Sequence, residues 1–300
     1  MSPTLRETIR ELTNNHLNLG YMVAGQCLTA VGWVGGTLPE RQDMTELPMS
    51  DVAGSGFAVG MALMGRRPIY VVRYQGFQWY NAAMVINYAA KSKAMWGRAC
   101  PLLVRSIAME GRIGPVAGSS HHSLFTRMPG VKVYAPMTPG EWRSAYAEFM
   151  AGDDVVYLSE HRGAYNNTEE MAPLSPPDHI ASPTAVLFPI SITRFAAAAV
   201  AMELPNVAVH HIACLKPFTP SPEALRDLAC SWTGGIVIDD DYPSGVASDI
   251  AMQLHQLTGK SVRVLGLNDV TAGFASWNDN LPPNKDQIKN MVEQKIKGLP

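Results

Sequence analysis

The sequence predicts an α/β protein of two domains, each built on a parallel sheet. Short apolar runs rich in Val and Ile alternate with helical stretches of about a dozen residues, the pattern of parallel strands covered on both faces. Asn166, Asn167, Pro173, Pro176, Pro177 and Pro183 then follow in quick succession, which marks an irregular crossing segment between two cores. The chain has 300 residues, enough for two cores of about 100–150 residues each. The expected division is a first domain over 1–165, a linker over 166–184 and a smaller second domain over 185–300.

Composition narrows the class. With 47% hydrophobic and 17% charged residues and a formal net charge of -2, the chain is compact and has no basic excess that would recruit nucleic acid. The opening MSPTLRETIREL has no apolar signal core, and no later apolar run is long enough to span a bilayer; the expectation is a cytoplasmic protein without membrane contact. Cys27, Cys100, Cys214 and Cys230 are scattered without a C-x-x-C pair, so free thiols are expected and neither a zinc site nor a disulfide framework.

Thr4, with Glu7 at capping-box spacing, opens an amphipathic helix over 4–14. The apolar stretch 17–31 holds the first strand, and GWVGGTLPER, residues 32–41, is loop chemistry. Residues 49–91 are the organising stretch. An extended piece ends at Asp51, and a run with Gly54, Gly56, Gly60 and Gly65 follows with almost nothing polar in it. Apolar all round, it reads as a helix packed on every face. Glycine costs about 1 kcal/mol against alanine in a helix, so four of them point to close backbone approach. Gly65 caps its end, before Arg66, Arg67 and Pro68. Residues 69–74 read as a buried strand and 78–93 as a second helix.

Farther on, 101–107, 131–135 and 155–159 read as strands, and the glycine-rich EGRIGPVAGSSHHS (110–123) as a loop. Thr138, Pro139 and Glu141 supply the N-cap, first-turn proline and capping glutamate of another helix. Residues 185–190, 207–213, 235–239 and 261–265 read as the strands of the second domain. On spacing alone, Asp51 caps the Gly-rich helix, Tyr74 and Phe77 are core aromatics, His121 and His122 are loop surface, and Asp239-Asp240-Asp241 is a solvated turn.

The motifs add a resemblance. Ser50-Asp51, then small residues, G-F-A-V-G-M-A-L-M-G (56–65), R-P-I (67–69), an aromatic pair and N-Y-A-A-K (87–91) together resemble the beta subunit of the thiamine-diphosphate-dependent 2-oxoacid dehydrogenase decarboxylase component. Transketolases share its domain. The resemblance covers nearly the whole chain: D-D-D-Y-P-S-G (239–245) is similar to the acidic turn of the family's C-terminal domain, and LPPNKDQIKNMVEQ (281–294) to its closing helix. It implies a thiamine-diphosphate pyrimidine-binding domain followed by a transketolase-like C-terminal domain that serves assembly.

The resemblance also implies site roles. The family places a glutamate on a pyrimidine ring nitrogen, favouring the imino tautomer that takes the proton from the thiazolium carbon; the matching residue here is Asp51, shorter by one methylene. An acidic pair follows a glycine near the cofactor in the family, and Gly25-Gln26-Cys27 stands there instead. Phe77 matches the ring that stacks on the pyrimidine, with Tyr74 beside it. The Q-H-S of beta subunits places His122, and the T-H-Q of transketolases His121, on the histidine that protonates or orients the substrate. The segment from His122 to Pro129 is shorter than in either family, so the substrate pocket is rebuilt.

Magnesium on the diphosphate needs G-D-G, which beta subunits lack; Gly152-Asp153-Asp154 has no second glycine. The cofactor is then shared with an alpha-type partner that holds Mg²⁺, in an assembly of two alpha and two beta chains with a beta–beta contact, and no metal is held here. The activity implied is decarboxylation of a 2-oxoacid with acyl transfer. Alternatives are the C-terminal subunit of a two-component transketolase or carboligase, and a non-catalytic scaffold subunit.

Overall fold

The computed structural model describes residues 2–109, 114, 116–176 and 182–297. Positions 110–113 and 115 of the predicted glycine-rich loop, and 177–181 of the crossing segment, lie outside the described residues. The first part of the chain runs α1 (Leu5–Asn18), β1 (Val23–Gly25), α2 (Ala30–Gly36), β2 (Thr45–Glu46), α3 (Asp51–Leu63) and β3 (Ile69–Val72). It continues with α4 (Gln78–Met84), α5 (Ala90–Trp96), β4 (Leu103–Ala108), α6 (Ser123–Thr126), β5 (Val131–Tyr134), α7 (Pro139–Ala151) and β6 (Val155–His161). The second part comprises β7 (Ala185–Pro189), α8 (Thr193–Glu203), β8 (Val207–Val209), β9 (Cys214–Lys216) and α9 (Pro222–Cys230). It ends with β10 (Gly235–Ile238), α10 (Val246–Thr258), β11 (Val262–Leu265) and α11 (Lys285–Ile296).

Two sheets form, in the orders β2-β1-β3-β4-β6-β5-β9 and β11-β10-β7-β8. Among the described residues these strands pair in parallel except where β9 meets β5 antiparallel. The strands are apolar on both faces because both are covered. Ile69, Val71, Leu103, Val156 and Leu158 join Trp142 and Phe149 under α1 and α7, while Tyr70, Val72, Val104 and Tyr157 face the opposite side, as side-chain alternation requires. Burial of each such Val, Leu or Ile is worth roughly 1.5–3 kcal/mol. One apolar cluster runs from Tyr157 and Phe125 to Phe188, Ile212 and Val237, so the two sheets share a core.

The caps follow the sequence closely. Thr4 and Glu7 close a reciprocal capping box, and Thr138 accepts from the Glu141 amide with Pro139 at the first turn. Gly65 has φ +79 just past α3, where a left-handed residue ends a helix.

Five expectations need correction. Residues 32–41 do not form a plain loop: Val31–Gly35 all take positive φ in a left-handed helical turn. Such a turn costs about 1–2 kcal/mol for each non-glycine residue. The helix expected over 78–93 is interrupted at Val85–Ala89 by a π segment. Helix α3 is not packed on every face, since Val52, Phe57 and Leu63 are exposed. The strand expected over 207–213 stops at Val209, and Cys214–Lys216 crosses back to edge the first sheet. The three aspartates are buried rather than solvated.

Candidate active site

The strand order places β1 between β2 and β3, so the connections from β1 and β3 leave in opposite directions. In open parallel sheets the crevice beyond the C-terminal ends of such a strand pair is where ligands bind. A cavity of about 170 Å³ lies there, its walls including Gln26 and Cys27 after β1, Met49 and Asp51 after β2, and Arg73, Tyr74 and Phe77 after β3. Two close approaches shape it. A Cβ on Gly25 would lie 2.6 Å from the Val71 carbonyl oxygen, and one on Gly76 would lie 2.3 Å from that of Val116, so both positions need glycine.

Asp51 is the first residue of α3, and Ser50, its N-cap, makes no side-chain capping bond. The Asp51 carboxylate is engaged elsewhere. Asn81 Nδ2 donates to Oδ1 at 2.9 Å, and Gln26 Nε2 reaches the same oxygen at 3.4 Å. Asn81 is itself fixed, donating to the Phe77 carbonyl at 2.9 Å and accepting from the Tyr70 hydroxyl at 2.7 Å. Because both partners of its amide nitrogen are acceptors only, the amide can face just one way. Among the described residues no side chain donates to Asp51 Oδ2. Burial, then the Asp51 charge, pushes the Tyr70 hydroxyl above its ordinary range, so it stays a donor.

Tyr74 and Phe77 share this pocket with Asp51, their ring centroids 6.2 Å apart at 36°. A flat heterocycle with one ring nitrogen to satisfy fits this donor and acceptor set: a carboxylate oxygen left open and two aromatic walls. Cys27 turns its Sγ to Met49 Sδ at 3.6 Å and holds φ +53.

The two histidines part ways, and neither lines the Asp51 pocket. His122 is fully buried. Its Nε2 lies 3.0 Å from Asp239 Oδ1, and its Nδ1 lies 3.2 Å from Ser159 Oγ. Burial opposes its charge, but Asp239, Asp241 and Asp240 override that and raise its pKa to about 10. It therefore stands as a buried cation between the two sheets.

His121 is half-buried between the rings of Trp79 and Tyr242, at 5.9 and 6.5 Å, and its Nε2 lies 3.0 Å from Ser119 Oγ. Burial lowers its pKa, partly countered by Asp241. Gln75 couples this loop to the pocket wall: its Oε1 accepts from the His121 amide at 2.7 Å, and its Nε2 donates to Ser159 Oγ at 2.7 Å.

Around His122 runs a polar seam between the sheets. Ser120 and Ser191 donate to Asp240 Oδ2 at 2.7 and 2.9 Å, and the Ser123 amide donates to Asp241. Burial raises the Asp240 pKa to about 7. Gly245 is required because Ser123 Oγ would lie 2.2 Å from a Cβ there. Arg194 of α8 grips Glu141 of α7 with two bonds, at 2.5 and 2.8 Å.

Residues 29–168 match the family described as "Transketolase, pyrimidine binding domain". Beyond the domain, the chain is similar to beta subunits of 2-oxoacid dehydrogenases, as its motifs imply.

It is 30% identical over 129 residues to the acetoin:2,6-dichlorophenolindophenol oxidoreductase subunit beta of Cupriavidus necator, covering 41% of this chain and 37% of that one. It is 25% identical to the 2-oxoisovalerate dehydrogenase subunit beta of Bacillus subtilis, covering 70% and 69%. It is 24% identical to the pyruvate dehydrogenase E1 component subunit beta of Leifsonia xyli subsp. xyli, covering 84% and 80%. The chain thus spans under two fifths of the first relative's length. A structure described as a split gene transketolase, inactive beta4 tetramer, shares the fold across 99% of both chains, with a TM-score of 0.71 at 14% identity.

Asn81, Gln75 and Tyr70 are the site residues that sequence reasoning missed. The available signal was an asparagine four residues after Phe77, near the start of the helix read over 78–93.

Proposed function

We propose that this chain is the beta-type subunit of a two-chain thiamine-diphosphate-dependent enzyme acting on a 2-oxoacid, and that it supplies the pyrimidine-activating side of a shared active site. The observation that carries this reading is the seating of Asp51: Oδ1 is tied to Asn81 and Gln26, and Oδ2 is left for a ligand in the switch-point pocket. When bound, thiamine diphosphate supplies a thiazolium carbon that stabilises the carbanion left after a bond next to a carbonyl is broken.

The residues of this chain do the rest of the work on its side. Asp51 Oδ2 would hold a proton at the pyrimidine ring nitrogen, with Asn81 keeping the carboxylate from turning away. Phe77 and Tyr74 would wall the ring and exclude water from it. His121, whose ring is set by Ser119, Trp79 and Tyr242, is the histidine available for proton transfer to substrate, and His122 holds its loop in place.

The diphosphate and its Mg²⁺ fall to an alpha-type partner, because the sequence has no G-D-G. Two adjoining helices offer the surface for an assembly of two alpha and two beta chains, including a beta–beta contact: Val52, Phe57 and Leu63 of α3, with Trp79 and Tyr80 of α4, are all exposed. Among the described residues no helix is long and apolar enough to cross a membrane.

Calorimetric titration of thiamine diphosphate with Mg²⁺ tests the reading. The expected result is no binding to the chain alone and tight binding to its mixture with the alpha-type partner, weakened by Phe77→Ala. A stable complex that takes up no cofactor would leave the scaffold reading in its place.

A further inference from the structure

A second cavity, of about 280 Å³, lies at the C-terminal ends of the adjacent parallel strands β7 and β8 and shares no lining residue with the Asp51 pocket. Crevices beyond those strand ends are where parallel sheets bind small molecules, and the volume is near the lower bound of such sites, roughly 300 Å³. Phe188 of β7 and His210, which follows β8, stack at 6.0 Å and 25° to give the cavity a flat wall. Asp227, 2.9 Å from the His210 Nε2, fixes that ring.

His211 lines the same cavity with its polarity unused. Its Nδ1 is buried without a hydrogen-bond partner among the described residues, a rare state for a buried polar atom. The other buried histidines are all engaged: His16 with Tyr146, His122 with Ser159, His161 with the Gly163 amide and His210 with Asp227. Burial, then the charge of Arg194, lowers the His211 pKa to about 3, so at pH 7 the ring is neutral and carries one donor and one acceptor.

The remaining polar groups of the cavity are neutral and occupied. Cys214 Sγ donates to the Pro217 carbonyl at 3.1 Å, and Ser221 Oγ accepts from the Ala224 amide at 3.1 Å. Among the described residues no Lys, Arg, Asp or Glu lines the walls. A charged ligand would lose its hydration without a counter-ion. A flat, uncharged ring with a donor and an acceptor gains contact with the Phe188–His210 wall and a partner in His211.

We propose that this cavity is a binding site for a small, planar, uncharged nitrogen heterocycle, with His211 as its hydrogen-bonding residue. The site does not depend on the thiamine reading. Its walls belong to both sheets, because His210 and His211 follow β8 of the second and Cys214 pairs with Tyr134 of the first. An occupant therefore braces the strap 210–221 that crosses between them.

The test titrates benzimidazole, benzoate and cyclohexanol into the full-length chain, following ligand-observed NMR signals. Benzimidazole, planar and uncharged with one donor and one acceptor, is expected to bind saturably. The planar anion and the non-planar alcohol bind at least about tenfold more weakly. His211→Phe keeps an aromatic ring and weakens benzimidazole about tenfold, the scale of one hydrogen bond. Ala213→Leu fills the cavity and abolishes binding, and it decides the matter should His211→Phe not fold. Phe77→Ala, in the Asp51 pocket, leaves benzimidazole binding unchanged. No saturable binding, equal binding of benzoate or cyclohexanol, or full affinity in either folded cavity variant overturns the site. Loss of binding in Phe77→Ala would place the heterocycle in the Asp51 pocket and overturn it equally.

Discussion

Asn81 donates to Asp51 through a bond of 2.9 Å that ends on one carboxylate oxygen and leaves the other without a side-chain donor among the described residues. The consequence is a division of labour within one carboxylate, since a group fixed at Oδ1 can present Oδ2 with little freedom to rotate. Relative to the glutamate that the resemblance implies at this position, aspartate sets the acid back by one methylene. The gap is tolerable only if the shorter side chain is held still, because a misplacement of about 1 Å can cost 10²-fold in rate.

Asp51→Asn therefore lowers kcat of the assembled enzyme by about 10²-fold or more, the usual scale of a positioned acid or base. It leaves partner association intact. Asn81→Leu keeps the acid but frees its rotation, and slows exchange of the thiazolium C2 proton by about tenfold. Proton exchange followed by NMR in the partner mixture separates the two. An Asn81→Leu rate equal to wild type would remove Asn81 from the positioning role.

His122 makes stability depend on pH. Its pKa rises from 6.5 to about 10 on folding, so its contribution is complete below about pH 6.5 and is lost as pH rises through about 10. Asp240 acts in the same direction over a lower window, its contribution being lost as pH rises from about 4 to about 7 because the folded chain holds a proton that the unfolded chain releases. His161, lowered from 6.5 to about 3 by burial, acts oppositely, and its cost accrues as pH falls from about 6.5 to about 3. The Tm therefore declines between pH 7 and pH 10, and His122→Gln flattens that decline. At pH 7, His122→Ala leaves Asp239 buried without its partner and costs about 3 kcal/mol, or about 5–10 °C in Tm by calorimetry.

Much of the fold was legible because periodicity, caps and glycines act locally. The Thr4–Glu7 box, the Thr138–Pro139–Glu141 start and the Gly65 stop need only neighbours a few residues away. What was not legible depends on distant partners. His122 reads as loop surface until Asp239, 117 residues on, is folded against it. The aspartates read as a solvated turn until Ser120, Ser191 and Ser123 close over them. Strand β9 leaves its own sheet for a tertiary reason as well, supplying an edge to β5 that no local pattern announces. At the site, the resemblance supplied Asp51, Tyr74 and Phe77, which the pocket brings together. Asn81 escaped notice because a buried asparagine in a helix has meaning only once its acceptor is known.

Gly76 tests how tightly the pocket wall is built. Its amide donates to the Val116 carbonyl at 3.0 Å, and a Cβ would stand 2.3 Å from that same oxygen. The obstacle is backbone, which cannot swing aside as a flexible side chain would. Gly76→Ala is expected to lose about 1–3 kcal/mol, the usual cost of overpacking, and to shift Phe77 and Tyr74 enough to weaken cofactor binding by the mixture. Chemical denaturation and calorimetry read the two effects. A variant with wild-type values in both would show that the 116–119 segment moves freely against the 3₁₀ turn Gln75–Phe77.

The exposed face of α3 tests the assembly. Val52, Phe57 and Leu63 lie on a helix whose other side, Gly54, Ala58, Val59 and Ala62, is buried in the chain. Small residues bring α3 close to α4, and a Cβ on Gly56 would already press Met84 Cε at 3.2 Å. The large residues are thus left pointing outward, although each would be better hidden from water. If that face meets a second chain, Phe57→Glu places an unpaired charge in the contact and weakens association by about 10²-fold, while the Tm of the isolated chain changes little. Analytical ultracentrifugation of the chain alone and with its partner separates the beta–beta contact from the alpha–beta contact. Unchanged sedimentation in both samples would exclude this face from the assembly and leave α4, the π segment and α5, with exposed Tyr80, Tyr88 and Trp96, as the surface to test next.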